Sequence, residues 1–196
     1  MALVLPNPKY YRINIPFNIN TTIIFVTAIP EFVVLFFILK KSTMQKITPF
    51  LWFNNKAEEA MNFYVSIFKN SKIIRQKRMG DNGPLFTGTF EIDGQQFHVI
   101  NGGPMFTFSE AISLFVNCET QQEVDELWEK LSEGGQKKQC AWLTDKYGIS
   151  WQIVPKILGE LLGDKDAKKV NRVVDAMLHM TKIDISKLVE AANKPD

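Results

Sequence analysis

The sequence predicts an α+β protein built from two copies of one β-α-β-β-β unit, followed by C-terminal helices. Three observations carry this. Composition shifts sharply near Met44, from an apolar run to an ordinary mixed sequence. FLWFNNKAEEAMNFYVSIF (50–68) lies over SLFVNCETQQEVDELWEKL (113–131) at an offset of 63. DGQQFHVI (93–100) then lies over YGISWQIV (147–154) at an offset of 54. Two matches in the same order mark an internal repeat, and the change of offset means the second copy is about nine residues shorter between its helix and last strand.

Each copy opens with a short apolar strand, Phe50–Phe53 or Ser113–Val116, and reaches an Asn, Asn54 or Asn117, where the chain turns into a helix. Met61, Tyr64, Val65 and Phe68 recur at i, i+3, i+4, i+7, and Val124, Leu127, Trp128 and Leu131 lie over them. That spacing puts one apolar stripe on each helix. Asn55 with Glu58, and Thr120 with Glu123, have capping-box spacing. Gly134 and Gly135 stop the second helix. Copy one has room for two more strands, 71–79 and 84–92, and Asp93-Gly94 turns into QFHVI. Copy two is shortened around KKQCAWL (137–143). Lys156–Leu162 and an amphipathic segment opened by Asp164 or Asp166, with Val170, Val173, Val174, Met177 and Leu178, read as helices. The expected divisions are 1–43, 44–104, 105–155 and 156–196.

Residues 1–43 do not match the rest. From 22 to 39 the chain is apolar apart from threonines, Pro30 and Glu31. That length is the lower limit for a membrane-spanning helix, but an acidic group in mid-span costs about 2.5 kcal/mol or more and Pro30 would kink it. No small-x-small cleavage site follows, which argues against a secretory signal. The expectation is that 1–43 is extraneous to the domain, with a membrane anchor through 22–39 as the alternative. MQKITPFLWF then reads as a natural start.

A formal net charge of +2 gives no case for nucleic-acid binding. Cys118 and Cys140 are too few to staple a secreted fold, and they suit a reducing, cytoplasmic setting as small buried hydrophobes. Neither lies in a CxxC.

Strand alternation sorts residues onto two faces. Leu51 and Phe53, with Ile112, Leu114 and Val116, suit the helix side, as do Phe97, Val99, Trp151 and Ile153. Thr48, Phe50, Trp52, Ala111, Ser113 and Phe115, with His98, Ile100, Gln152 and Val154, then face away. If the two non-helix faces form a cup, Phe50, Trp52, His98, Phe106, Ser113, Phe115 and Gln152 line it, and the aromatics can stack on a flat ligand. His98 is the candidate acid–base group, against a plain reading as a hydrogen-bonded structural histidine. His179 reads as an ordinary helix residue, Asp145-Lys146-Tyr147 as a hairpin turn, and Arg75, Lys77, Arg78, Lys137 and Lys138 as solvated strand edges.

Two β-α-β-β-β units forming a cup resemble the vicinal-oxygen-chelate superfamily of glyoxalase I, bleomycin-resistance proteins and extradiol dioxygenases. FLWFNNKAEEAMNFY, FEIDGQQFHVINGGP, AISLFVNCETQQEVDELWEKL, GISWQIVP and AMLHMTKIDI resemble its PhnB-like branch, often labelled 3-demethylubiquinone 3-methyltransferase. The resemblance covers about 45–193 and implies a glyoxalase/bleomycin resistance/dioxygenase fold and a homodimer. In metal-dependent relatives it also implies metal ligands at Thr48 or Phe50, His98, Ala111 or Ser113, and Gln152. Only His98 among these is a strong ligand, and a catalytic site uses about three. The expectation is therefore a cup that binds a small, largely uncharged molecule without metal or other cofactor. The alternatives are a metalloenzyme that keeps His98 as a ligand and a structural protein with a filled cup. A Rossmann-type methyl-donor site needs a glycine-rich turn leading into a helix. Asn101-Gly102-Gly103-Pro104 runs into no helical pattern, so Gly102 and Gly103 read as a linker needing unusual backbone angles.

Overall fold

The computed structural model describes residues 26–29, 32–35 and 45–195. The chain divides into two units, Met1–Lys46 and Ile47–Asp196. In the first, β1 (Val26–Ile29) pairs antiparallel with β2 (Phe32–Leu35), Ile29 opposite Phe32. The described part of 22–39 is thus a strand pair where a spanning helix was the alternative. Val, Ile and Phe favour extended backbone. Among the described residues, no helix is long and apolar enough to cross a membrane.

The second unit holds the repeat. β3 (Phe50–Phe53), α1 (Ala57–Ile67), β4 (Ser71–Arg78), β5 (Leu85–Ile92) and β6 (Gln95–Asn101) form a sheet ordered β3-β6-β5-β4. β7 (Ser113–Cys118), α2 (Gln121–Ser132), β8 (Gln136–Lys137), β9 (Trp142–Thr144) and β10 (Ser150–Pro155) form another, ordered β7-β10-β9-β8. In each sheet the first and last strands are parallel neighbours and the other pairs are antiparallel. The shared order is the topological form of the offsets read from the sequence. Three helices follow: α3 (Lys156–Leu162), α4 (Ala167–Leu178) and α5 (Ile185–Asn193).

Local chemistry explains most boundaries. Asp93 and Gly94 both take positive φ, 46° and 85°, the backbone a two-residue hairpin requires. Thr120 caps α2 by accepting from the Glu123 N–H (3.2 Å), while the Glu123 carboxylate accepts from the Glu119 N–H. Asp166 caps α4. The cap expected from Asn55 is not made. α1 begins after Lys56, and its Ala57 N–H donates instead to Asn101 Oδ1 on β6 (2.9 Å), a partner 44 residues away. A long-range acceptor has replaced the local one.

Each helix covers one face of its own sheet. Met61 and Tyr64 on α1, and Val124, Leu127, Trp128 and Leu131 on α2, are buried, while Val65 and Phe68 are partly covered. Gly88 on β5 admits α1, since a Cβ there would stand 2.7 Å from the Met61 sulfur. Phe53, Phe97, Val99, Trp151 and Ile153 lie in the core, as the alternation requires. Ile112 does not. It precedes β7 and is 79% exposed.

One cluster runs through the helix-side faces of both modules. Its polar centre is Asp145, 3% exposed, in the turn before β10. The carboxylate accepts from Tyr64 Oη (2.7 Å), Trp151 Nε1 (2.8 Å), and the N–H groups of Tyr147 (2.8 Å) and Ile149 (3.0 Å). Tyr64 comes from α1 of the first module, so this bond crosses between modules. Burial pushes the Asp145 carboxyl above its ordinary value and outweighs the hydrogen bonds, which pull it down. The hairpin reading of 145–147 holds for the backbone and misses this buried carboxylate. A second cluster, including Val154, Leu158, Val173, Ile183 and Leu188, seats the C-terminal helices.

Candidate functional site

The non-helix face of the first sheet is built in rows, because strand partners in register point to the same side. One row runs Phe50, His98, Thr89, Arg75; the next runs Trp52, Ile100, Thr87, Lys77. Thr89 Oγ1 lies 2.9 Å from His98 Nδ1, and the Phe50 ring sits 6.1 Å from the imidazole. Phe50 is 57% exposed. Trp52 is less available than its position suggests. Its indole N–H donates to the Gly103 carbonyl (2.9 Å), and its ring meets Phe106 edge-on at 5.1 Å. Gly102 lies so close under the indole that a Cβ there would stand 2.2 Å from the ring. Gly103 has φ +87°. The two glycines therefore serve the packing of Trp52 and the exit from β6.

The corresponding face of the second sheet holds Ser113, Phe115 and Gln152. Gln152 Nε2 donates to Ser113 Oγ (2.8 Å), and Phe115 is opposite Gln152 in register. This face borders a cavity of about 320 Å³ between the sheet and helices α3 and α4. Phe115, Trp142, Gln152, Cys140, Gly159 and Met177 are among its walls. Gly159 opens it: a Cβ there would meet nothing within 4 Å. Cys140 is half-buried with φ 56°, so it is not the buried hydrophobe expected, whereas Cys118 is fully buried. Burial pushes the Cys118 thiol up to about 12.

The expected lining residues thus gather in two groups, one per sheet. Neither Phe50, Trp52 nor His98 borders the cavity at Gln152. The cause is the shared core: because the helix-side faces merge around Tyr64, Asp145 and Trp151, the two open faces turn away from it. Sequence alternation named the faces but missed Cys140, Trp142, Gly159 and Met177. Only Trp142 carried a signal, through its alternation with Leu143.

The family model described as 3-demethylubiquinone-9 3-methyltransferase matches residues 45–154, more than half of the chain. The chain belongs to that family. Among solved structures it is similar to the PhnB protein of Bacillus cereus, with 41% identity, a TM-score of 0.53, and 57% of this chain and 99% of that one covered. A fosfomycin resistance protein, FosX of Listeria monocytogenes in complex with Mn(II) and sulfate, is 15% identical at TM-score 0.42, covering 56% of this chain and 90% of that one. A Frankia glyoxylase/bleomycin resistance protein/dioxygenase domain is 16% identical at TM-score 0.37, covering 56% and 90%. No curated protein matches. The fold is the paired β-α-β-β-β arrangement that the internal repeat predicts.

The residues at the metal positions that the resemblance implies do not fit a divalent ion. Phe50 and Ser113 offer no imidazole or carboxylate, Gln152 is bonded to Ser113, and His98 Nδ1 is engaged by Thr89. Among the described residues, no group of three His, Cys, Asp or Glu stands close enough to hold one. Gly102-Gly103 likewise leads to β7 with no intervening helix, so it does not form the phosphate-cradling turn of a Rossmann methyl-donor site.

Proposed function

We propose that this PhnB-like protein binds a small, largely uncharged, aromatic or apolar molecule in the cavity over its second sheet, without a metal ion. The cavity carries the reading. Its volume of about 320 Å³ is at the lower end of small-molecule sites, its walls are mainly apolar, and Gln152 supplies one orienting amide. His98 lies on the other sheet and serves there as a hydrogen-bonded group. Both cysteines are free thiols, which fits a cytoplasmic setting.

The protein is also proposed to work as a homodimer. Met105, Phe106, Ile112 and Phe115 are 54–79% exposed on the inter-module segment and open strands. Apolar side chains left bare in this way suit burial against a second copy. A dimer can bring the open face of one protomer's first sheet to the second sheet of its partner and so complete the cup. Sedimentation should give a dimer for the wild type and a monomer for Phe115→Asp.

The cavity is tested through Cys140 and Gly159. A ligand such as indole or phenol should slow alkylation of Cys140 in the native protein. Gly159→Leu, which fills open space, should abolish that protection while the protein stays folded. Protection that survives Gly159→Leu would place the ligand elsewhere.

A further inference from the structure

On the first sheet's open face, we infer a site for the oxyanion end of a small molecule, a carboxylate or a phosphate, with the molecule's apolar part lying toward Phe50. The four cations of β4 are distributed between its two faces. Arg78 points to the helix side, where its guanidinium pairs with Glu58 of α1. Lys72 points to the open side and is neutralised by Glu91 of β5, 3.3 Å away. Arg75 and Lys77 share the open side with Lys72, since they are in register with Thr89 and Thr87. Among the described residues, neither has an ion pair or side-chain hydrogen bond. Carboxylates thus meet the cations at both ends of the strand and leave the two between them unmatched.

What lies beside these two cations is ordered by polarity. Thr89 and Thr87 bring hydroxyl groups one strand away. His98, with its Nδ1 held by Thr89, is one strand further in, and Phe50 closes the row. Across four strands spaced about 4.8 Å apart, the row spans about 14 Å between its end Cα atoms. From Arg75 inward it offers a guanidinium fork, a hydroxyl, an imidazole edge and an aromatic face. Guanidinium binds carboxylate and phosphate through paired donors, and the hydrogen-bonded Thr89–His98 pair adds one more donor, the imidazole Nε2–H or the hydroxyl according to the tautomer. Glu91 is the carboxylate on this face. It sits one row away with its charge directed at Lys72, so it fixes the edge of the site. A simple solvated edge explains the exposure of Arg75 and Lys77, but not a row that grades from cation to aromatic ring. The inference stands on the first sheet alone and does not depend on the cavity over the second.

The test compares benzoate with benzamide, which share a ring and differ in charge, by titration into the ¹⁵N-labelled full chain. Benzoate is expected to shift the amides of Thr87, Thr89 and His98 saturably and to bind about tenfold tighter than benzamide, with inorganic phosphate displacing it. The paired substitution Arg75→Gln and Lys77→Gln should reduce that preference to about one. Both side chains are exposed, so the rest of the spectrum should be unchanged. Lys194→Gln, an exposed cation elsewhere, and Gly159→Leu should leave the preference intact. Equal affinity for the two probes, a preference that survives in the paired variant, or benzoate retained in saturating phosphate would each overturn the site.

Discussion

Replacing Asp145 with alanine should destabilise the protein by about 2–4 kcal/mol, because it leaves the buried Tyr64 and Trp151 donors without an acceptor. Four donors converge on this carboxylate at 2.7–3.0 Å. Alanine removes every acceptor at once. Tyr64 and Trp151 are 1% and 2% exposed, so their O–H and N–H cannot turn to water. Each buried donor left unpaired costs about 1–3 kcal/mol. The two backbone donors lie in a turn and recover part of their hydration, and the energy once needed to bury the charge is returned. Against a typical total of about 5–15 kcal/mol, the loss is large. Asp145→Asn keeps one oxygen and should cost less. Urea denaturation followed by tryptophan fluorescence measures both. Tyr64→Phe adds a second arm: combined with Asp145→Ala it should cost about 1–2 kcal/mol less than the separate effects together. A loss below 1 kcal/mol for Asp145→Ala, or strict additivity with Tyr64→Phe, would refute the claim that this carboxylate joins the modules.

Four further outcomes are expected. Because burial raises the Asp145 carboxyl above its ordinary 3.8, the folded state holds this proton more tightly than the unfolded chain. Its contribution is therefore full below 3.8 and is lost as pH rises through the native value, so the stability of wild type relative to Asp145→Asn should fall across that window. Iodoacetamide at pH 8 should modify Cys140 and spare Cys118, whose thiol is buried and titrates near 12, as peptide mass mapping would show. Gly102→Ala should displace Trp52, since its Cβ would stand 2.2 Å from the indole, giving red-shifted fluorescence in an otherwise folded protein. Gly135→Ala should destabilise by about 2 kcal/mol or more, because its Cβ would lie 2.1 Å from the Thr144 carbonyl oxygen, a backbone atom that cannot swing aside.

The repeat was legible because it is written in local periodicity. The stripe Val124, Leu127, Trp128, Leu131 is buried as its spacing demands, and the alternation of β6 places Phe97 and Val99 inside with His98 outside. Features that depend on distant parts of the chain were not legible. Nothing near Ala57 shows that its N–H will be met by Asn101, so Asn55 reads as the cap. Nothing around Asp145 distinguishes an ordinary turn aspartate from one that receives Tyr64 from the other module. The candidate site divides along the same line. Each open face could be named from alternation, yet which faces meet is decided by how the modules pack. Packing through Tyr64, Asp145 and Trp151 separates Phe50, Trp52 and His98 from Ser113, Phe115 and Gln152. Cys140 escaped for a related reason, since its left-handed backbone and its place on the cavity wall arise where the second sheet meets the C-terminal helices.

Native mass spectrometry of the full chain, purified without chelator, tests metal-free binding most directly. The expected spectrum shows the protein carrying a small organic molecule that is absent from Gly159→Leu, with no stoichiometric metal. A divalent ion bound one per chain and lost in His98→Ala would contradict it.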